Sequence, residues 1–325
     1  MPRPAIGIEV VDSGTRMVAA VSAERGARRW STRLDAPPAA SEAVSHMHAL
    51  IERVLRDTAD PTREPDAAAA IGIALAGAVD AARGTVREVR LASGWQDFRL
   101  ADALAERWGG PVAVQSTTQS AALAEARLGA GRDHDHLLYL HVGRTVAAAF
   151  VVDGRVYYGA GGRAGDLAHW LVRPDGPRCS CGARGHLEPI ASAQSLVRTM
   201  IGRAVDHPES NAAMLRISNG RAEAMTADQV VHLAAEGDPV ARSVVDDAVE
   251  ALALCLANVV AAFDPGVVIL GGPLVSAGSD FLEPLRVRLA AFSAHRQPPP
   301  VRDAELEPAA ALIGAVLGAM ERRDD

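Results

Sequence analysis

Residues Asp166–Glu188 read DLAHWLVRPDGPRCSCGARGHLE. His169, Cys179, Cys181 and His186 all fall inside this stretch, and two of the chain's 3 cysteines stand one residue apart in it. Thiolate and imidazole are the donors that suit Zn²⁺, and four of them close a tetrahedral structural site. Pro174, Gly176, Pro177, Gly182 and Gly185 supply the bends that fold the donors around one ion. Four protein ligands leave no open coordination position, so the pattern predicts a structural zinc and not a catalytic one. The competing reading is a polar loop with incidental His and Cys. Clustered Cys and His separated by turn residues argue against it.

Outward from this loop the chain alternates strands and helices. AIGIEVV, RMVAAVSA and RRWSTRLDA read as three strands, with turns at Asp12–Gly14 and Glu24–Gly26. SEAVSHMHALIERVLRDTAD is a helix with Ser41 as N-cap. AAAIGIALAGAVD is a buried strand ending in Gly77, DFRLADALAERWG a helix closed by Gly109, PVAVQSTT a short strand and QSAALAEARLGAG a helix. HLLYLHVG is a strand, and TVAAAFVVDGRVYYG a hairpin turning at Asp153–Gly154. Beyond the loop, three helical stretches precede the strand GVVILGG, a helix around DFLEPLRVRLAAF, a weaker strand near Val301 and the final helix ELEPAAALIGAVLGAMERR. The pattern gives two α/β halves with a cleft between them, a preferred place for a small ligand. They span residues 1–117 and 118–304; the second contains the zinc loop 166–188, and the final helix, about 305–322, packs back on the first.

Composition narrows the function classes. A chain of 325 residues suits two domains, and 49% hydrophobic residues suffice for a sizeable core. A net charge of -7 argues against a general nucleic-acid surface. Every basic residue is arginine, which removes any P-loop or Schiff-base lysine. Cys255 lies in the apolar helical run ALALCLANVVAAF and reads as core. MPRPAIGIEVV lacks a signal-peptide pattern, and no apolar run reaches the ~18 residues of a membrane span, so a soluble cytoplasmic protein is expected.

GIALAGAVD, SGWQDFRLADALAERWGGPVAV, AALAEARLGAG, VVDGRVYYGAGGRAGDLAH, GPRCSCGARGHLE, DPGVVILGG and LIGAVLGAM resemble, in that order, the signature segments of the ROK family of bacterial sugar kinases and sugar-responsive repressors. The resemblance implies the actin-like, ribonuclease-H-like two-domain ATPase fold, a homodimer and one zinc per subunit. His169, Cys179 and Cys181 match the family's metal pattern, and His186 stands where its third cysteine belongs.

The kinase parts depart from the pattern. The family's Glu-Asn-Asp, whose aspartate is the general base, corresponds here to Gln115, Ser116 and Thr117, so no catalytic residue is assigned. A threonine hydroxyl cannot take a proton near neutral pH, and a general base is worth ~10²–10⁴-fold. The first phosphate loop, Glu9–Thr15, has one glycine where two are wanted. The second, Gly143-Arg144-Thr145-Val146-Ala147, puts side chains where backbone must approach phosphate. Gly143, Gly271, Gly272 and Gly314 keep the family's nucleotide edge but also serve close packing, and ATP–Mg²⁺ binding is not expected from these loops. The positions matching the family's sugar ligands are Ser116, Thr117, Asp166, His169 and Glu188; Asp166 is one methylene shorter than the family's glutamate.

The resemblance therefore implies a non-catalytic, sugar-binding regulatory or sensor protein. The chain as written lacks the helix-turn-helix of the repressors, so no direct DNA binding is expected. The alternative is an ATP-dependent sugar or cyclitol kinase with an atypical site, for instance with Asp166 as a relocated base. A third reading keeps zinc and dimerisation without ligand binding. His134 and His136 read as solvated and His141 as packed on its strand.

Overall fold

A computed structural model describes residues 5–11, 16–21, 29–33, 39–58, 70–89, 94–275, 279–293 and 297–324. The turns expected at Asp12–Gly14 and Glu24–Gly26 lie outside these residues. The strands are β1 (Ala5–Val11), β2 (Arg16–Val21), β3 (Arg29–Arg33), β4 (Ala70–Leu75), β5 (Ala78–Asp80), β6 (Thr85–Glu88), β7 (Val112–Ser116), β8 (Leu137–Val142), β9 (Val146–Val152), β10 (Arg155–Tyr157), β11 (Val267–Gly271) and β12 (Val301–Asp303). The helices are α1 (Ala40–Thr58), α2 (Leu100–Trp108), α3 (Thr117–Leu128), α4 (Glu188–Ala191), α5 (Ala193–Ala204), α6 (Pro208–Ile217), α7 (Ala227–Ala235), α8 (Pro239–Phe263), α9 (Ser279–Phe292) and α10 (Ala310–Asp324).

Contacts divide the chain into two compact units: residues 1–133, 149–164 and 308–325, and residues 134–148 and 165–307. The sequence reading put the boundary at 117, whereas this division places α3 and the β10 segment with the N-terminal residues.

The first unit is built on a sheet of order β3-β2-β1-β4-β7. β1 pairs parallel with β4 (Ile6↔Ile71, Ile8↔Ile73), and β4 parallel with β7. Side chains alternate across a strand, so each face has its own composition. Ile6, Ile8, Ile71 and Ile73 point into a core with Met47, Ile51, Leu100 and Leu104. The other face carries Ala5, Gly7, Ala70, Gly72 and Ala74 and receives α10 through Leu312, Ala315, Val316 and Ala319. Small residues there let helix backbone come down onto strand backbone. A Cβ on Gly72 would lie 1.8 Å from the Ala315 carbonyl oxygen. Gly314 is likewise a contact point, since its Cβ would meet the Ser120 carbonyl oxygen of α3 at 1.8 Å.

A second sheet runs β10-β9-β8-β11-β12. Its hairpin turns at Asp153 (φ 52°) and Gly154 (φ 70°), both left-handed as a type I′ turn requires. Cys255 is 1% exposed in α8, and burial pushes its thiol up to about 12, the environment of a core residue.

Four local expectations are corrected. Ser41 does not cap α1, which begins at Ala40; its carbonyl instead accepts the Ser45 hydroxyl at 3.1 Å. The strand in AAAIGIALAGAVD ends at Leu75, two residues before Gly77, and Ala78–Asp80 form the separate strand β5, which pairs with β6. α3 starts at Thr117, earlier than the reading at Gln119, because Ser116 and Gln119 close a capping box. Helix α6 was not anticipated; it is short and partly exposed, with Pro208 at its start.

The two kinds of glycine predict opposite substitution effects. Gly72→Ala should destabilise by about 1–3 kcal/mol because the helix seat cannot yield. Gly202, inside α5 with open space around its Cβ, should gain about 0.5–1 kcal/mol on replacement by Ala. Urea unfolding midpoints at unchanged slope check both.

Candidate functional site

The four donors of the metal pattern come together. A 3₁₀ turn, Leu167–His169, presents the first imidazole. A tight turn follows later, closed by the Gly182 N–H donating to the Cys179 carbonyl at 3.0 Å, which sets both thiols on one bend. Bridges Arg178↔Arg184 and Leu171↔His186 fold the loop back on itself. The Leu187 N–H donates to the Trp170 carbonyl at 3.0 Å, bringing His186 beside the segment that carries His169. Gly185 (φ 76°) allows this return: a Cβ there would lie 1.8 Å from the Arg173 carbonyl oxygen.

One donor atom from each of His169, Cys179, Cys181 and His186 lies within 4.8 Å of all the others. The Cys181 Sγ to His186 Nδ1 distance is 3.3 Å. Metal–sulfur and metal–nitrogen bonds of ~2.3 and ~2.0 Å at a tetrahedral angle imply S···N edges of about 3.5 Å, so the spacing fits one small cation. His169 Nδ1 lies 2.8 Å from Asp166 Oδ1. Its Nε2 is buried with no hydrogen-bond partner. A buried ring nitrogen without a partner is costly unless something fills its lone pair, and a metal ion does so.

Ser116 and Thr117 lie in the first unit, and Asp166, His169 and Glu188 in the second. Ser116 ends β7 and Thr117 opens α3. The Ser116 hydroxyl accepts the Gln119 N–H at 3.1 Å, and the Gln119 side chain accepts the Ser116 N–H at 3.0 Å. Gln115, 5% exposed, donates through Nε2 to the Tyr158 hydroxyl at 2.6 Å and accepts from Ser120 Oγ at 3.3 Å. The end of β7 is thus a neutral, hydrogen-bonded corner without a carboxylate on residues 115–117. Glu188 opens α4 and is half-buried.

Gly143 begins the turn between β8 and β9; its N–H donates to the Thr145 carbonyl at 3.1 Å, and its own carbonyl accepts the Ala193 N–H at 2.8 Å. Of the first phosphate loop, residues 12–15 lie outside the described residues. Gly271 ends β11 and Gly272 follows it, both against close neighbours: a Cβ on Gly271 would sit 2.2 Å from the Tyr139 hydroxyl and 3.0 Å from Glu307 Oε1.

Glu307 went unnoticed in the sequence because it reads as part of the final helix. Pro308 was the available signal, since a residue before proline is pushed out of helical backbone; α10 in fact begins at Ala310. Its carboxylate accepts the Tyr139 hydroxyl at 2.6 Å and lies 3.7 Å from His141 Nδ1. The nearby His141 ring, then the hydrogen bond from Tyr139, hold Glu307 below the usual carboxylate range against the opposing effect of burial. His141, read above as merely packed, is its partner. The cavity over Gly271 and Gly272, bounded by Asp303 and Glu307, holds about 100 Å³, well under the ~300 Å³ at which small-molecule pockets begin.

A depressed folded-state value means this carboxylate stabilises the fold above its unfolded pKa, and that the contribution disappears as pH falls through the folded value. Glu307→Gln should therefore flatten part of the acid limb of a stability-versus-pH curve and leave the neutral-to-alkaline limb parallel to native. Chemical denaturation across a pH series reads this directly.

Residues 6–321 match the ROK family. The chain is 32% identical over 222 residues to the glucokinase of Thermotoga maritima, across 68% of this chain and 69% of that one. It is 28% identical over 250 residues to the DNA-binding transcriptional repressor Mlc of Escherichia coli, across 76% of this chain and 59% of the repressor. The crystal structure of a ROK family glucokinase from Streptomyces griseus, in complex with glucose and AMPPNP, superposes with a TM-score of 0.79 at 29% identity, covering 98% of this chain and 99% of the glucokinase. The fold is the actin-like α/β fold of the ROK sugar kinases. Among the described residues, no helix is long and apolar enough to cross a membrane. With the match running almost end to end, this chain belongs to the ROK family.

Proposed function

We propose that this ROK chain is a non-catalytic sugar-binding sensor or regulatory protein, a pseudokinase on a zinc-stabilised scaffold. The observation that carries the reading is the end of β7. Phosphoryl transfer to a sugar needs a group that takes the hydroxyl proton, and Thr117 supplies none. Ser116 is committed to capping α3 and Gln115 to Tyr158. The Glu307 carboxylate against Gly271 supports the same reading, because an anion at that edge repels a polyphosphate.

The sugar ligand follows from kinship with glucokinases and with a repressor, and from Glu188, which matches one of the family's ligand positions. Asp166 is shorter and Ser116 and Thr117 lack the amide and carboxylate, so a hexose loses contacts worth ~0.5–1.5 kcal/mol each. Two thiolates and two imidazoles make zinc the fitting ion, and a closed donor set makes it structural. The zinc would tie the 166–188 loop together; the chemistry it supplies is cohesion. The working form is a cytoplasmic homodimer.

The alternative, a sugar kinase with an atypical site, draws on the glucokinase relatives. A coupled assay of ADP release with ATP–Mg²⁺ and a panel of hexoses and amino sugars decides between them. The expected result is no turnover above a blank without protein; sustained, sugar-dependent turnover would sink the pseudokinase reading. For the metal, elemental analysis should find zinc in the native protein and lose it in Cys179→Ser, and a chelator should lower the native melting temperature.

A further inference from the structure

We infer that Asp166 is a positioning residue of the metal centre: its carboxylate holds the His169 imidazole in the Nδ1–H form and thereby leaves the buried Nε2 lone pair free for an ion. The inference rests on the reading that the cluster holds a metal, and it assigns to Asp166 a task other than meeting a sugar hydroxyl.

Three observations converge on it. Asp166 occupies the N-cap position of the 3₁₀ turn Leu167–His169, where aspartate ordinarily accepts a backbone N–H, yet its side chain makes no capping hydrogen bond. The carboxylate goes instead to the imidazole three residues on, Nδ1 to Oδ1 2.8 Å. The other ring nitrogen, Nε2, is buried and has no hydrogen-bond partner.

Neutral imidazole has one N–H and one lone pair. A carboxylate only accepts, so the proton belongs on Nδ1 and the lone pair on Nε2. That is the form a metal ligand requires. The opposite tautomer would set a lone pair against the carboxylate and bury an N–H without an acceptor, two penalties at once. The His186 ring stands nearly perpendicular to His169, at 80° and 5.4 Å between centroids. A rotation of His169 about its ring axis therefore disturbs both imidazoles together.

The shorter side chain is part of the device. Aspartate at the start of a single 3₁₀ turn reaches the ring three residues later without leaving the turn, so the carboxylate and the ring move as one element. Outer carboxylates that orient a ligating histidine typically change metal affinity ~10–100-fold when removed.

The test is zinc affinity of the full chain, measured by competition with a chromophoric chelator. Asp166→Ala should bind about 10–100-fold more weakly than native. Asp166→Asn, whose amide oxygen still accepts from Nδ1–H, should recover most of that loss, a rescue that general loosening of the loop would not give. Nitrogen-15 NMR of the native metal-free chain in mildly alkaline buffer should show His169 in the Nδ1–H form. That measurement needs no variant, so it stands even where Asp166→Ala fails to fold. A native chain that binds no zinc would overturn the metal reading itself. A native chain that binds zinc, with Asp166→Ala binding equally tightly or His169 resting as Nε2–H, would overturn this inference alone.

Discussion

The first unit depends on how closely α10 sits on the sheet. Helix and strands normally keep apart by the depth of their side chains. Here Gly7, Gly72 and Gly314 remove that spacer, and the backbone of α10 rests on the backbone of β1, β4 and α3. The contact joins the last helix of the chain to its first strand. It also divides β1 and β4 into an isoleucine face and a glycine–alanine face, so their register cannot slip by one residue without exchanging the two. α3 is clamped from outside by the same helix through Gly314 and Ser120. The N-terminus of α3 is where β7 ends, so the position of Gln115, Ser116 and Thr117 follows from the seat. The corner at residues 115–117 is thus positioned by a contact that lies elsewhere in the fold.

The 166–188 loop is held differently. Its turns come from glycine, proline and a few backbone hydrogen bonds, and Arg178, Ser180, Cys181, Gly182, Ala183 and Arg184 are exposed. The apolar burial of the loop lies at its ends, in Leu167, Ala168 and Leu187, and little is available between residues 180 and 184 to offset the entropy of ordering them. Arg173 adds a local anchor: it pairs with Asp247 at 2.9 Å, and Arg203 joins the same carboxylate at 2.5 Å. These two guanidiniums hold Asp247 below the usual carboxylate range despite its desolvation.

Much of this could be read from residues alone, for identifiable reasons. The metal donors were legible because their identity and spacing are local facts. The lack of a carboxylate at Gln115–Thr117 was legible because it is a departure from the family pattern at a recognisable place. The pairing of β5 with β6 was hidden, since Thr85–Glu88 is too short and too polar to stand out as a strand. Glu307 was concealed by an apparent helix and by partners, Tyr139 and His141, far from it in sequence. Long-range pairs of that kind require the fold.

The central claim is that the ROK scaffold here keeps a sugar site and has given up phosphoryl transfer. Thermal unfolding of the purified protein, with ATP–Mg²⁺ and with each member of a sugar panel added separately, tests it most directly. A ligand at ~100 times its Kd stabilises by ~2.7 kcal/mol, an effect readily seen in the melting temperature. The account predicts an upward shift with at least one sugar and none with ATP–Mg²⁺. A shift with ATP–Mg²⁺, or none with any sugar, would contradict it.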